Sequence, residues 1–580
     1  MYRKGSLLLI FACFIALPLF ATENSQKIIY LDSSVYDSLD ALYVRTGHAL
    51  PSQARPYSVA EINKLLNKLD IHSFNDVEQS LYQSIKNEMD TGNGEGTTFV
   101  AEQELTPEMY SHINTDDFTG RSDWNYGWMN QNPLYTAKLG FYTSDLFYAQ
   151  VDLSLGTTWA YSDGDFGDTN ISMNIPGLFG TSIEDIDSNI PYHAYLSMGG
   201  DSWSAEVGRD RLEWGPGITG NLMIGDNLKY QNLARLTFFG DSFKYTGVAL
   251  FFPHQMNYVE SYDETDANSN FDESTLADSQ YDELSGLEMF LGHRFEWRTM
   301  QDKLHIALTE GMMYATEDGT IDFSILNPLG LFHSYFIKSN SNSIATLDVD
   351  YTYKNTNFYV SAVLDEFTVP FVETDLDWFS PEALGVIAGF RHYTTHDNLL
   401  DTTSFEMAYT MPYLYLRDNG STDDDDNQTC QSGYGINFVV ATRYFNSDGI
   451  EYDEEFLGYS YGGDALIFNF NKKFDSFDND WSVEFNWFNM FHGTFDVDTL
   501  WNTVSEDVFG LTTETSAATD DETKDSIEFM SVLGCYADYR INDKVKPYGQ
   551  LDLIAIVNDD NVSGNFDWDV QLTTGVTIQL

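Results

Sequence analysis

The residues with the most chemical reach in this chain lie together in the run Gly208-Arg209-Asp210-Arg211-Leu212-Glu213-Trp214-Gly215-Pro216-Gly217. Arg presents a planar fork of donors, a carboxylate accepts hydroxyls, and an indole stacks on apolar faces. Together they could hold a sugar. Pro216 fixes one backbone dihedral, and its flanking glycines allow a tight bend. On a strand, Arg209, Arg211 and Glu213 share one face, expected to be the lumen face of a barrel. One reading of that face is a salt-bridge ladder that neutralises internal acids and plugs a pore. The other is recognition, with Arg209 and Arg211 on sugar hydroxyls or carboxylates and Trp214 on a sugar ring. The two weigh equally for Arg209, and the structural role is preferred for Arg211. Gly215 and Asn227 complete this candidate surface.

Trp124-Asn125-Tyr126-Gly127-Trp128 is a second aromatic cluster. Trp124, Tyr126 and Trp128 could form a glycan platform, but an interfacial aromatic belt is the preferred reading. Asp163, Asp165 and Asp168 could ligate calcium through oxygens. Their spacing does not continue into a twelve-residue calcium loop, so solvated acids are preferred, as for Asp423 to Asp426. Apart from calcium, no cofactor is expected. Catalytic patterns are missing: no G-x-S-x-G, no H-E-x-x-H, and no phosphate-cradling Gly-rich loop with a lysine. His193, His293, His305 and His333 are scattered. No enzyme activity is expected.

Strands must position these groups. In the final stretch, Trp568, Val570, Leu572, Thr574, Val576, Ile578 and Leu580 alternate with Asp569, Gln571, Thr573, Gly575, Thr577 and Gln579. A period of two puts one set on each sheet face. The same alternation runs through Tyr135 to Phe141, Phe147 to Leu155, Leu347 to Tyr353, Phe358 to Leu364 and Trp481 to Trp487. Strands of about ten residues, joined by alternating short and long connections, predict one large all-β, antiparallel transmembrane barrel of roughly 16 to 20 strands. Thr143 to Asp145 reads as a short periplasmic turn. The acidic stretches Glu260 to Glu283, Asp418 to Gln428 and Thr512 to Asp525 read as extracellular loops. The last strand is expected to close the barrel against an early one.

Residues from about 30 to 90 follow another period. Tyr36, Leu39, Leu42 and Tyr43 predict a helix ended by Gly47. Ser58 and Glu61 form a capping box before the stripe Ile62, Leu65, Leu66 and Leu69. A third helix is predicted over Asp76 to Met89. Before them, Arg3 and Lys4 precede an apolar run from Leu7 to Phe20, with Ala21 as a cleavage position, which predicts an export signal. The organisation expected is a signal over 1–21, a periplasmic helical bundle over 22–95 and a barrel over 96–580, in a bacterial outer membrane.

The chain carries 29 basic and 90 acidic residues, a formal charge of −61. Phosphate binding needs clustered Lys and Arg, so no nucleic-acid partner is expected. Solvated loops are the preferred reading of the acidity. The expected signal holds Cys13; beyond it, Cys430 and Cys535 are too few and too far apart to define a disulfide framework.

Six segments stand out in order along the chain: Leu39, Leu42 and Gly47 with Pro56-Tyr57-Ser58 and Glu61-Ile62, the run Val207 to Gly217 with Asn221-Leu222 and Asp226-Asn227, Leu326-Asn327-Pro328-Leu329 with His333, Leu364 to Phe367, Glu406 with Pro412-Tyr413, and Leu457 to Gly462. Together they resemble the Wzi-type capsule assembly family of outer-membrane proteins. The resemblance implies a barrel with a periplasmic helical bundle and a lectin-like, non-enzymatic hold on exported polysaccharide. Lipid around the wall and an export partner at the bundle are the other partners expected. Leu580 and the acidity depart from the family, which leaves the glycan open. The alternatives are a cation-selective porin with an acidic lumen and a surface adhesin.

Overall fold

The structure, a computed structural model, describes residues 24–89, 98–114, 132–155, 167–169, 193–253, 287–316, 332, 341–366, 382–396, 399–416, 437–446, 449–476, 480–497, 510–513 and 524–580. The signal expected over 1–21, Cys430 and two of the three acidic stretches lie outside these residues, as does most of the third.

Three helices open the chain: α1 (Ser34–Arg45), α2 (Val59–Asn67) and α3 (Asp76–Met89), with β1 (Ala54–Arg55) between the first two. Ser33 caps α1 through the Val35 N–H, and Ser58 caps α2 through the Glu61 N–H. Gly47 takes φ +82° just after α1 and donates its N–H to Val44. The stripes meet as expected: Tyr36, Leu39, Leu42, Ile62, Leu66 and Ile85 are buried in one cluster. Each fully buried Leu or Ile contributes roughly 1.5–3 kcal/mol.

The wall begins with β2 (Thr98–Leu105), β3 (Glu108–His112), β4 (Tyr135–Ser144), β5 (Phe147–Leu155), β6 (Gly167–Thr169), β7 (Ala194–Gly200) and β8 (Trp203–Asp210). After the inserted β9 (Glu213–Trp214) come β10 (Gln231–Phe239), β11 (Phe243–Phe252), β12 (Leu287–Thr299), β13 (Leu304–Thr316), β14 (Ser341–Tyr353), β15 (Thr356–Glu366), β16 (Ala383–His396) and β17 (Leu399–Thr410). A separate hairpin, β18 (Val439–Asn446) with β19 (Gly449–Phe456), precedes β20 (Ala465–Ser476), β21 (Trp481–His492), β22 (Glu528–Tyr539), β23 (Val545–Val557) and β24 (Phe566–Gln579). Neighbours pair antiparallel into a closed barrel of 18 strands. β2 and β3 are two parts of one broken strand, and β6 pairs beside β3 where β4 ends. β24 closes the circle, with Glu104 opposite Gln579 and Gln571 opposite His112.

The period of two sets inside from outside. On β24, Asp567, Asp569, Gln571 and Thr573 are buried, while Phe566, Trp568 and Leu572 are exposed. Leu196, Leu236, Leu308, Leu347 and Leu553 continue that exposed apolar exterior around the barrel. A closed wall leaves no unpaired strand edge, the condition for crossing hydrocarbon with strands. This is an outer-membrane-type barrel. The helices lie at the end carrying the short turns: Lys68 pairs with Asp302 at 3.1 Å, and Lys473 with Asp37 at 2.9 Å. That end faces the periplasm in barrels of this type.

Candidate functional site

The site is the lumen, and two segments fill much of it. The first is the stretch between α1 and α2. It rises inside the wall, where β1 pairs with β9, Ala54 opposite Trp214 and Arg55 opposite Glu213. Inward side chains of successive strands hold its backbone. Arg298 donates to the Ala49 carbonyl at 2.7 Å and Lys244 to the Ala54 carbonyl at 2.9 Å. Glu296 accepts the Gln53 N–H at 3.0 Å and the Ser52 hydroxyl at 2.6 Å. Asp350 accepts the Leu50 N–H at 3.0 Å and the Gln53 amide at 2.7 Å. Buried charges persist only when paired and hydrogen-bonded, and these are. Arg294, fully buried, meets Glu296 at 3.1 Å, Asp348 and Thr309. The Glu61 of the expected capping box sends its carboxylate to Lys244 at 2.6 Å, so α2 is tied to the wall as well as capped.

The second segment, 211–230, turns inward where β8 ends. Arg391 donates to the Pro216 carbonyl at 2.8 Å. Glu406 accepts the N–H groups of Ile218 and Thr219 at 2.7 and 2.8 Å. Gly215 has φ +142°, and a Cβ there would lie 2.2 Å from Asn221 Oδ1, so only glycine fits. Residues 411–416 and 457–464 complete the packing. The Tyr415 hydroxyl donates to the Leu222 carbonyl at 2.8 Å and accepts the Tyr459 N–H at 3.1 Å, while Asp365 accepts the Tyr415 N–H at 2.9 Å. Segments scattered from Trp214 to Tyr459 thus converge on one apolar and hydrogen-bonded plug.

Among the described candidate residues, Trp214 and Arg209 lie elsewhere than expected. Trp214 is 1 % exposed, packed in the plug, and its ring has no face open to a sugar. Gly292 on β12 makes room for it, since a Cβ there would be 3.0 Å from the ring. Arg209 and Arg211 do not share a lumen face. Arg209 has the same parity as the exposed Val207, lies 3.8 Å over the Tyr230 ring and donates to Asn232 at 3.0 Å on the outer side. The strand stops at Asp210, whose carboxylate accepts the Arg211 N–H at 2.8 Å and contacts His193 at 2.7 Å, and the chain bends inward. Arg211 then ties the infolded segment to Asp32 at 2.9 Å and to the Asp226 carbonyl at 2.6 Å. Gly215 donates to the Gln53 carbonyl at 2.9 Å, and Asn227 to the Phe456 carbonyl at 2.9 Å. Trp124, Tyr126, Trp128, Asp163 and Asp165 lie outside the described residues. Asp168 stands on β6 opposite Tyr110.

Electrostatics at the β1–β9 junction follow from burial. Burial works against the Arg55 charge, but Asp40 at 2.7 Å, with Tyr57 and Glu213 nearby, holds its pKa above the ordinary value. Burial pushes the Glu213 carboxyl up to about 7, opposed by Arg55 and by the Asn221 amide at 2.9 Å.

No family model and no curated protein matches the chain. Among solved structures it is similar to Wzi of Escherichia coli, described as an outer membrane protein involved in group 1 capsule assembly and a carbohydrate binding β-barrel. That likeness has 13 % identity and a TM-score of 0.55, covering 95 % of this chain and 99 % of that one. The outer membrane channel DcaP of Acinetobacter baumannii matches at 7 % identity and TM-score 0.35, over 84 % of this chain and 98 % of that one. OccK9 of Pseudomonas aeruginosa matches at 10 % identity and TM-score 0.37, over 83 % and 98 %. Identity this low speaks to fold.

Proposed function

We propose that this chain is a non-enzymatic outer-membrane protein that holds polysaccharide at the cell surface. The observation that carries this reading is the plug. A solute channel needs a through-path, whereas Arg298, Glu296, Asp350, Arg391 and Glu406 all spend their inward groups on fixing two segments across the lumen. The fold shared with a carbohydrate-binding barrel supports the same reading. The organisation proposed with it is a signal over 1–21, a periplasmic helical bundle over 22–95, where an export partner would dock, and a barrel over 96–580 surrounded by lipid. Calcium, if used, would bridge acidic loops and glycan.

The test is capture of the cell's own surface polysaccharide by detergent-purified protein, with and without millimolar calcium, beside conductance in planar bilayers. Polysaccharide retained by a non-conducting barrel is the expected result. No retention together with steady conductance would replace this reading with the porin.

A further inference from the structure

The plug covers only part of the inner wall. N-terminal residues lie against β4, β5, β7 and β14, as the bonds of Asn24, Gln26, Tyr30 and Leu50 record, and α1 touches β15, β16 and, through Asp37, β20. The remaining sector, β20 to β23 with β24 and β3, carries a different lining. Near the extracellular side it is shut by Phe488, Met490, Val532, Ile554 and Ile556, all buried in the plug's cluster. Toward the short turns the inward residues are partly exposed: Asn471, Glu484, Asn486, Tyr536, Tyr548 and Gln550. The accessible lining ends at that apolar floor, so this sector is a blind vestibule on the side of the short turns, with α1 at its edge where Asp37 meets Lys473.

Its chemistry is specific. Tyr536 and Tyr548 stack with ring centroids 6.4 Å apart, and a ring pair flanked by amides suits the apolar and hydroxylated faces of a sugar. Asn471 and Asn486 face each other across β20 and β21. At the vestibule's apolar floor, opposite Phe488, Asn469 points inward, 4 % exposed, with its Oδ1 lacking a hydrogen-bond partner. A buried amide oxygen of that kind is destabilising until something donates to it. At the accessible lining the carboxylates of Asp475, Glu484 and Asp538 outnumber the ammonium groups of Lys473 and Lys546, while Glu108 and Asp552 are buried and accept from Asn132 and Gln550. Lys546 already pairs with Asp538 at 3.2 Å, and Lys473 with Asp37 at 2.9 Å.

We infer that this vestibule binds, from the periplasmic side, a glycan segment of neutral or amino-bearing sugars, and that it rejects uronate chains. The inference rests on the polysaccharide reading and assigns it a ligand class and a face. Hydroxyls donate to the acids and amides, the two tyrosines stack on a ring, and the excess of carboxylate repels an acidic polymer.

The full chain in detergent is titrated with maltohexaose, chitosan hexamer and oligogalacturonate, and with a panel of further neutral and amino oligosaccharides. Saturable binding within the neutral or amino set is expected, with none for oligogalacturonate. Tyr536→Ala and Asn486→Ala should each weaken it about tenfold, the size expected for one stacked ring or one bidentate amide. A second measurement keeps the idea testable where Tyr536→Ala folds poorly. Asn486→Cys, with Cys430 and Cys535 changed to Ser, should be labelled by a charged thiol reagent and protected by the bound oligosaccharide. Uronate binding as tight as neutral binding, or binding indifferent to both wall variants and without protection, overturns the vestibule. Loss of all surface-polysaccharide capture overturns the proposed function instead, so the two failures are separable.

Discussion

Glu406→Gln should loosen the infolded segment without disturbing the wall. In the native protein Oε2 accepts the Ile218 N–H at 2.7 Å and the Tyr359 hydroxyl at 2.7 Å, and Oε1 accepts the Thr219 N–H at 2.8 Å and its hydroxyl at 2.5 Å. Glutamine keeps the shape but offers one oxygen. Whichever way the amide is turned, its NH2 faces one of the two backbone N–H groups. A hydroxyl can rotate and accept instead, but a backbone N–H cannot. One buried donor is stranded, at about 1–3 kcal/mol, and the other contacts lose their charge assistance, at about 0.5–1 kcal/mol each. The sum, about 2.5–6 kcal/mol, falls on the closed position alone, since a released segment is solvated. At 1.4 kcal/mol per decade, opening should become roughly 10²–10⁴ times more frequent. Amide hydrogen exchange at Ile218 and Thr219 reads this directly, with exchange at Leu308 on the barrel wall as the internal control. Unchanged protection at both amides, in a variant whose wall exchanges as wild type, would refute the assignment of Glu406 as the anchor.

Trp214→Ala should lower stability by about 3–5 kcal/mol, the cost of emptying a core site of that size. Polysaccharide capture per folded molecule should stay unchanged, and a selective loss of capture in a fully stable variant would restore the sugar-stacking role. The Glu213 carboxyl, pushed up to about 7, implies a pH slope of known sign. Its folded-state pKa lies above its unfolded one, so the folded protein binds the extra proton between them. Stability should therefore fall as pH rises from about 4.5 to 7, with the plug firmest at the acid end of that window. Thermal unfolding at several pH values should show this slope, and Glu213→Gln should flatten it. A slope that survives the substitution would assign it elsewhere.

The barrel, its closure and the three helices were legible because each is written in a period. Asp569, Gln571 and Thr573 announce an inner face, and Leu39 with Leu42 a helical stripe, within a few residues of sequence. The lumen was not legible in that way. Arg209 and Arg211 have the spacing of a shared face, but that inference assumes the strand continues. It ends at Asp210, where a carboxylate takes the next backbone N–H, and nothing in the local pattern of alternation marks the end. Trp214 was singled out for a stacking role that needs an open ring face, and the structure buries that ring. Pro and Gly around it do make the chain bend, but the bend delivers the indole into a core assembled from β12, 411–416 and 457–464, hundreds of residues away in part. The plug's anchors are acids and arginines at inward parity, such as Glu296, Asp350 and Arg391, which in sequence look like every other polar lumen residue. What separates them is the partner they meet, and partners across a barrel are set by closure. The same argument explains the vestibule. Asn471, Asn486, Tyr536 and Gln550 differ from the plug's anchors in one respect only: no described segment lies over them to use their hydrogen-bonding groups fully. A wall built from one alphabet thus acquires two roles, and the length and path of the N-terminal segment decide which inward residues fix the plug and which are left for a ligand.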